Sequence, residues 1–373
     1  MQIFPFGGAR RLFFLRHAPW RLIWSRYGTV CTMARRLLWV LLLVTFGTAV
    51  STSSWASSGW GVGFHRLQVS DPLDQQPMKA IAFYPTRAAE QPLHLGNFIL
   101  DVAYEGKTAN GRFPLLVMSH GNYGTPLAHR DLIEALVRKG FVVVTLLHPG
   151  DNLHDHSRLG ALSNLYGRPL QVSETISAAL LDPQIAAIVD PRKVGVIGYS
   201  AGGETALILA GAQPRLERLI KYCQQRPDDR DACSEKGEVR ADRSDLVPMA
   251  DPRVGALLLL APLSLMYGAH ELEDVQVPVL LYTGNDDHIL DWKKNAAALA
   301  RKLPQQADLR VLDGAGHFVF MSPCSEEEKE ATPDLCTDTQ GLDREAIHRD
   351  LAASAAEFFD VSLGSATMQT SGR

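Results

Sequence analysis

Five short apolar runs constrain this chain more than any other feature. They are "RFPLLVMSHG" (Arg112–Gly121), "FVVVTLLHPG" (Phe141–Gly150), "KVGVIGYS" (Lys193–Ser200), "VGALLLLAP" (Val254–Pro262) and "VPVLLYTG" (Val277–Gly284). Each is nearly continuous in Val, Ile and Leu. Strands with no polar side must be covered on both faces, which makes them inner strands of a mostly parallel sheet. Helical patterns fall between and around them: residues 127–140, 172–182, 201–212, 291–303 and 343–360. The helix at 172–182 is expected to start at Ser173, near a capping-box pattern. A last strand is read in "ADLRVLDGAGH". The runs "FHRLQVSD" and "MKAIAFYPT" alternate apolar and polar residues, as an antiparallel opening pair would. Strands alternating with helices give an α/β fold with helices on both faces of the sheet.

Charge narrows the class of partner. Of the 37 Lys and Arg, seven Arg lie in residues 1–56, which contain no Asp or Glu. The remaining 30 face all 41 acidic residues, so the body of the chain is acidic and poorly suited to a phosphate backbone. No nucleic-acid partner is expected. The arginines belong to a targeting segment. From Met33, "MARRLLWVLLLVTFGTAVSTSSWASS" has a basic start, an apolar run and small residues, with cleavage expected after Ala56. The run of 14 residues from Leu37 to Val50 is short of the roughly 20 needed to span a bilayer. Any membrane contact is therefore expected only through this signal sequence, or through it as an uncleaved anchor. The expected location is periplasmic or secreted.

The cysteines agree with export. Cys223 and Cys233 form one close pair, and Cys324 and Cys336 another, both in polar stretches that interrupt the strand–helix rhythm. These read as disulfides stapling insertions at about 213–250 and 321–341. Local pairing is one of three connectivities. Zinc is the competing reading, but the spacings lack CxxC form and no His stands beside either pair. The domain is expected to span 57–360, with a flexible tail over 361–373.

Chemistry concentrates at the strand ends. Gly198-Tyr199-Ser200-Ala201-Gly202 fits G-x-S-x-G directly after a strand and before a helix, where a serine is displayed at a sharp turn. Its base and acid should follow in the chain. His317, after the last strand, is the expected base. Asp287, past "VLLYTG", is the expected acid, with Asp286 the alternative; His288 lies in the acid's own loop. Ala201 and Asn122 are expected to offer backbone N–H groups to an oxyanion, with His120 buttressing the second loop. The cluster His148, Asp151, His154, Asp155 and His156 is read as pocket rim or carboxylate pairs rather than a metal site. No cofactor and no metal are expected.

Together, "LLVMSHGNYGT", "VVVTLLHPGDN", "VIGYSAGGETAL" and "GAGHF" resemble the α/β-hydrolase superfamily over about Gly61 to Asp360. They are most similar to exported dienelactone hydrolase-like proteins and platelet-activating-factor acetylhydrolase-like esterases. The resemblance implies an exported serine hydrolase acting on a small-molecule or lipid carboxylic ester. It implies a nucleophile at Ser200, an acid at Asp287, a base at His317 and oxyanion donors at Asn122 and Ala201. Dienelactone hydrolases carry a cysteine nucleophile where this chain has Ser200. In the acetylhydrolases the acid follows an earlier strand, where this chain has Glu271, Glu273 and Asp274. A peptidase or amidase of the same fold is the alternative, as is a non-catalytic binding protein.

Overall fold

The computed structural model describes residues 59–233 and 236–365. The expected targeting segment and its expected cleavage site lie outside these residues. Ten strands form the sheet: β1 (Gly61–Ser70), β2 (Pro77–Thr86), β3 (Gln91–Leu95), β4 (Phe98–Tyr104), β5 (Phe113–Ser119), β6 (Val142–Leu146), β7 (Val189–Tyr199), β8 (Val254–Leu260), β9 (Val279–Gly284) and β10 (Asp308–Leu312). Their order is β10-β9-β8-β7-β5-β6-β2-β1-β4-β3. From β6 through β10 every neighbouring pair is parallel. The five apolar runs are thus five adjacent inner strands, β9, β8, β7, β5 and β6, as their composition requires. The opening pair is antiparallel, with Phe64 opposite Phe83, and β2 joins β6 antiparallel. The hairpin of β3 and β4 extends the sheet beyond β1; the sequence reading had not placed it.

Among the described residues ten α-helices accompany the strands: α1 (Arg130–Arg138), α2 (Leu162–Leu165), α3 (Gly167–Leu181), α4 (Pro183–Ala186), α5 (Ala201–Leu209), α6 (Leu216–Gln225), α7 (Ala296–Lys302), α8 (Glu326–Ala331), α9 (Pro333–Cys336) and α10 (Arg344–Ser365). Successive strand residues divide between two cores. Leu115 and Val117 of β5 pack with Val172 and Ile176 of α3 and Leu207 of α5. Leu116 and Met118 pack with Ile133 of α1 and Phe359 of α10. The period of two along each strand places one core on each face. No helix of the described residues is long and apolar enough to cross a membrane.

Two boundaries differ from expectation. Helix α3 begins at Gly167, not Ser173, because α2 runs almost directly into it and Pro169 sits in its first turn, where its missing N–H leaves no gap. The Ser173 hydroxyl instead donates to Asp251 at 2.7 Å. At the other end, α10 continues through Ser365 and buries Leu363, so helix occupies the first residues of the expected tail. Residues 366–373 lie outside the described residues. The four cysteines pair locally, Cys223 with Cys233 and Cys324 with Cys336.

Strand order also fixes where a site can form. After β5 the chain turns to β6 on one side, then returns to β7 on the other. Loops leaving β5 and β7 diverge there, opening a crevice at their carboxyl ends.

Candidate active site

Ser200 stands in that crevice, between β7 and α5, with φ 54° and ψ −118°. This conformation is costly for a residue with a Cβ and persists only where packing imposes it. Two glycines allow that packing. A Cβ on Gly198 would stand 2.3 Å from the Gly202 carbonyl oxygen, and one on Gly202 would stand 2.0 Å from that of Ser119. The corner therefore closes only with hydrogen at both positions.

The structure brings His317 and Asp287 to this serine. His317 Nε2 lies 3.0 Å from Ser200 Oγ, and its Nδ1 lies 2.7 Å from Asp287 Oδ2. The other oxygen of Asp287 accepts the Ile289 and Leu290 N–H groups at 2.9 and 2.8 Å, which locks the carboxylate. Asp286 is not brought in. Its side chain is exposed, 3.4 Å from the exposed His288. Glu271 is buried but accepts the Gly268 N–H at 2.7 Å and faces Arg215 and Arg218, so it serves its own loop. Glu273 pairs with His270 at 3.0 Å. Tyr199, which sequence reasoning had not singled out, lies against the His317 ring at 5.1 Å between centroids and donates from its hydroxyl to the His317 carbonyl at 3.2 Å. Burial, reinforced by the Asp287 charge, pushes the Tyr199 phenol well above its ordinary range.

Among the described residues, the N–H groups of Asn122 and Ala201 have no hydrogen-bond partner, and both residues line the crevice with Ser200. Ala201 is the first residue of α5, where an unpaired N–H is expected and the helix dipole favours negative charge.

A family model described as "Alpha/beta hydrolase family" matches residues 116–327, more than half of the chain. The chain belongs to that family. No curated protein matches it. Among solved structures, a ferulic acid esterase from Streptomyces cinnamoneus is similar with a TM-score of 0.58 and 17% identity, over 84% of this chain and 93% of that one. That likeness is one of fold.

In this hydrolase the Asn122 loop is held by groups that sequence reasoning placed elsewhere or missed. His148 and Asp151 are not at a pocket rim; both are fully buried beneath the loop. Asp151 accepts the Tyr123 N–H at 3.0 Å and pairs with buried Arg168 at 2.6 Å. Arg168 in turn donates to the His120 carbonyl. His120 donates from Nδ1 to the Gly121 carbonyl at 2.8 Å and accepts the His148 N–H at Nε2, 3.2 Å. It thus braces the loop, as expected of it. The Ser119 hydroxyl donates to His148 Nε2 at 2.9 Å, and His148 Nδ1 donates to Gln171 at 2.8 Å. Burial, then the Arg168 charge, pushes both imidazoles far below their ordinary range and keeps them neutral. His154, Asp155 and His156 are exposed; Asp155 accepts the Gly150 N–H at 2.9 Å, and the His156 ring stands edge-on to Tyr123.

The crevice continues into a cavity of about 580 Å³. Both disulfide-stapled insertions reach it: Leu219 and Ala232 from the first, Met321 and Leu335 from the second.

Proposed function

We propose that the protein is an exported serine hydrolase that cleaves carboxylic esters through an acyl-enzyme. The observation that carries this reading is the continuous relay Ser200–His317–Asp287, with contacts of 3.0 and 2.7 Å, on a cavity also lined by Asn122 and Ala201, whose N–H groups have no partner among the described residues. Ser200 Oγ attacks the ester carbonyl while His317 Nε2 takes its proton. Asp287 holds the proton on Nδ1 and stabilises the imidazolium that forms. The Asn122 and Ala201 amides receive the developing oxyanion. His317 then protonates the leaving alcohol, and water, deprotonated by the same histidine, releases the acid. A ferulic acid esterase shares the fold, which puts ester cleavage among the chemistries this scaffold carries. The likeness to dienelactone hydrolase-like and acetylhydrolase-like esterases belongs to the same reading.

Export is supported by two disulfides in a chain whose residues 1–56 read as a targeting segment with a cleavable signal from Met33. The mature chain then begins at Ser57, which amino-terminal sequencing of the exported protein reads directly. A panel of p-nitrophenyl esters and matched p-nitroanilides tests the chemistry. The esters are expected to turn over and the anilides to resist. Anilides cleaved as fast as esters would replace this reading with an amidase.

A further inference from the structure

One part of the cavity holds polar groups that the triad does not use. Asn164 lies in α2, Arg168 lies in the first turn of α3, and Glu204 lies one helical turn beyond Ser200 on α5; all three line the cavity that Ser200 opens into. They are 9%, 2% and 8% exposed. Among the described residues, Asn164 Oδ1, Arg168 Nε and Glu204 Oε1 have no hydrogen-bond partner. Three such atoms in one part of one cavity are unusual, because buried polar groups are normally satisfied.

Their orientation is fixed rather than incidental. Asp151 Oδ2 accepts from both Asn164 Nδ2 at 3.1 Å and Arg168 Nη1 at 2.6 Å. A carboxylate only accepts, so the Asn164 amide must turn its NH₂ to Asp151 and leave its oxygen free. The same pull leaves the Arg168 Nε–H unused. Leu165 and Met266 form an apolar wall beside these groups, with Leu219 packed against it.

We infer that this part of the cavity is a subsite for a hydroxyl group carried by the ester substrate, bound by Asn164, Arg168 and Glu204. The inference rests on the ester-hydrolase reading of Ser200. A hydroxyl supplies one donor and two acceptor positions. It accepts from Arg168 Nε–H and donates to Asn164 Oδ1 or Glu204. A substrate carboxylate fits poorly: Asp151 already neutralises Arg168, and the Asn164 and Glu204 oxygens would face it. An alkyl group fits no better, since it leaves all three polar atoms unpaired. Burial pushes the Glu204 carboxyl up to about 8 against the pull of Arg168, so at neutral pH it is mostly protonated and both donates and accepts.

The test compares methyl hexanoate and methyl octanoate with their ω-hydroxy derivatives, hexyl acetate with its ω-hydroxy derivative, and monomethyl adipate as the carboxylate, all followed by pH-stat. In at least one pair the hydroxylated ester is expected to exceed its partner in kcat/KM by about tenfold or more. Monomethyl adipate is expected to be the poorest acyl substrate. Within each variant the hydroxylated-to-plain ratio cancels any general loss. Glu204→Leu is expected to bring that ratio to about one, while Glu204→Gln, which keeps a donor and an acceptor, retains part of it. Ratios near one in every wild-type pair, or a ratio undiminished in Glu204→Leu, would overturn the subsite and leave the esterase standing. Wild-type protein unable to cleave even p-nitrophenyl acetate would overturn both.

Discussion

At the scale of single residues, two adjacent aspartates carry opposite expectations. Asp287 is buried against His317 and bonded to two backbone N–H groups, whereas Asp286 is exposed beside His288. Asp287→Asn removes the acceptor that fixes the imidazole tautomer, and kcat is expected to fall by about 10³–10⁴. Asp286→Asn touches only a surface contact, and kcat is expected to stay within about twofold. Steady-state kinetics on one p-nitrophenyl ester checks both; the reverse order would reassign the acid. The choice between these neighbours was not legible in sequence, since both follow β9 within three residues of Gly284. The places of Ser200 and Asn122 were legible because both follow the ends of apolar strands. Arg168 and Glu204 were not. A charged residue in a helix ordinarily marks a solvated face, and a glutamate in a first turn ordinarily answers the helix dipole. Only the tertiary fold buries Arg168 against an aspartate in the loop after β6.

At the scale of elements, the strands were read best where burial on both faces left no other choice, as in β5 through β9. The β3–β4 hairpin escaped because Gln91–Leu95 is an edge strand with no fully buried residue, so its composition carries no core signal. The start of α3 escaped because Pro169 reads as a break, although it is tolerated in a first turn. The insertions show what short elements gain from cross-links. Their disulfides close loops with separations of 10 and 12 residues, each removing unfolded-chain entropy of about 3 kcal/mol on a loop-closure account. Both insertions line the cavity, so loosening them acts on the substrate's far end. Paired Cys223→Ser and Cys233→Ser substitutions are expected to lower kcat/KM for octanoyl esters more than for acetyl esters. An equal loss on both would mean that the first insertion does not shape the pocket.

At the scale of the whole molecule, buried titrating groups set opposing limits on stability. Burial holds His129 at about 4 and holds His120 and His148 far below the ordinary 6.5. Their folded values lie below their unfolded ones, so the stability they contribute is complete above pH 6.5 and is lost as pH falls. Burial holds Glu204 at about 8 and Glu134 at about 7, above the ordinary 4.5. Those contributions are complete below pH 4.5 and are lost as pH rises through 7 to 8. Between pH 4.5 and 6.5 three imidazoles outweigh two carboxyls; above 6.5 only the carboxyls act. Each unmatched proton tilts stability by about 1.4 kcal/mol per pH unit. The urea midpoint is therefore expected to peak near pH 6.5, and Glu204→Gln should flatten its alkaline side. A midpoint that rises steadily from 6.5 to 8 would contradict this balance. Two of these groups, His129 and Glu204, line the cavity with Ser200, and whether that serine is a nucleophile decides the account. Wild-type protein treated with a fluorophosphonate is expected to gain one adduct, located on Ser200 by peptide mass, and folded Ser200→Ala to gain none. No adduct on the folded wild-type protein, or an adduct at another residue, would contradict it.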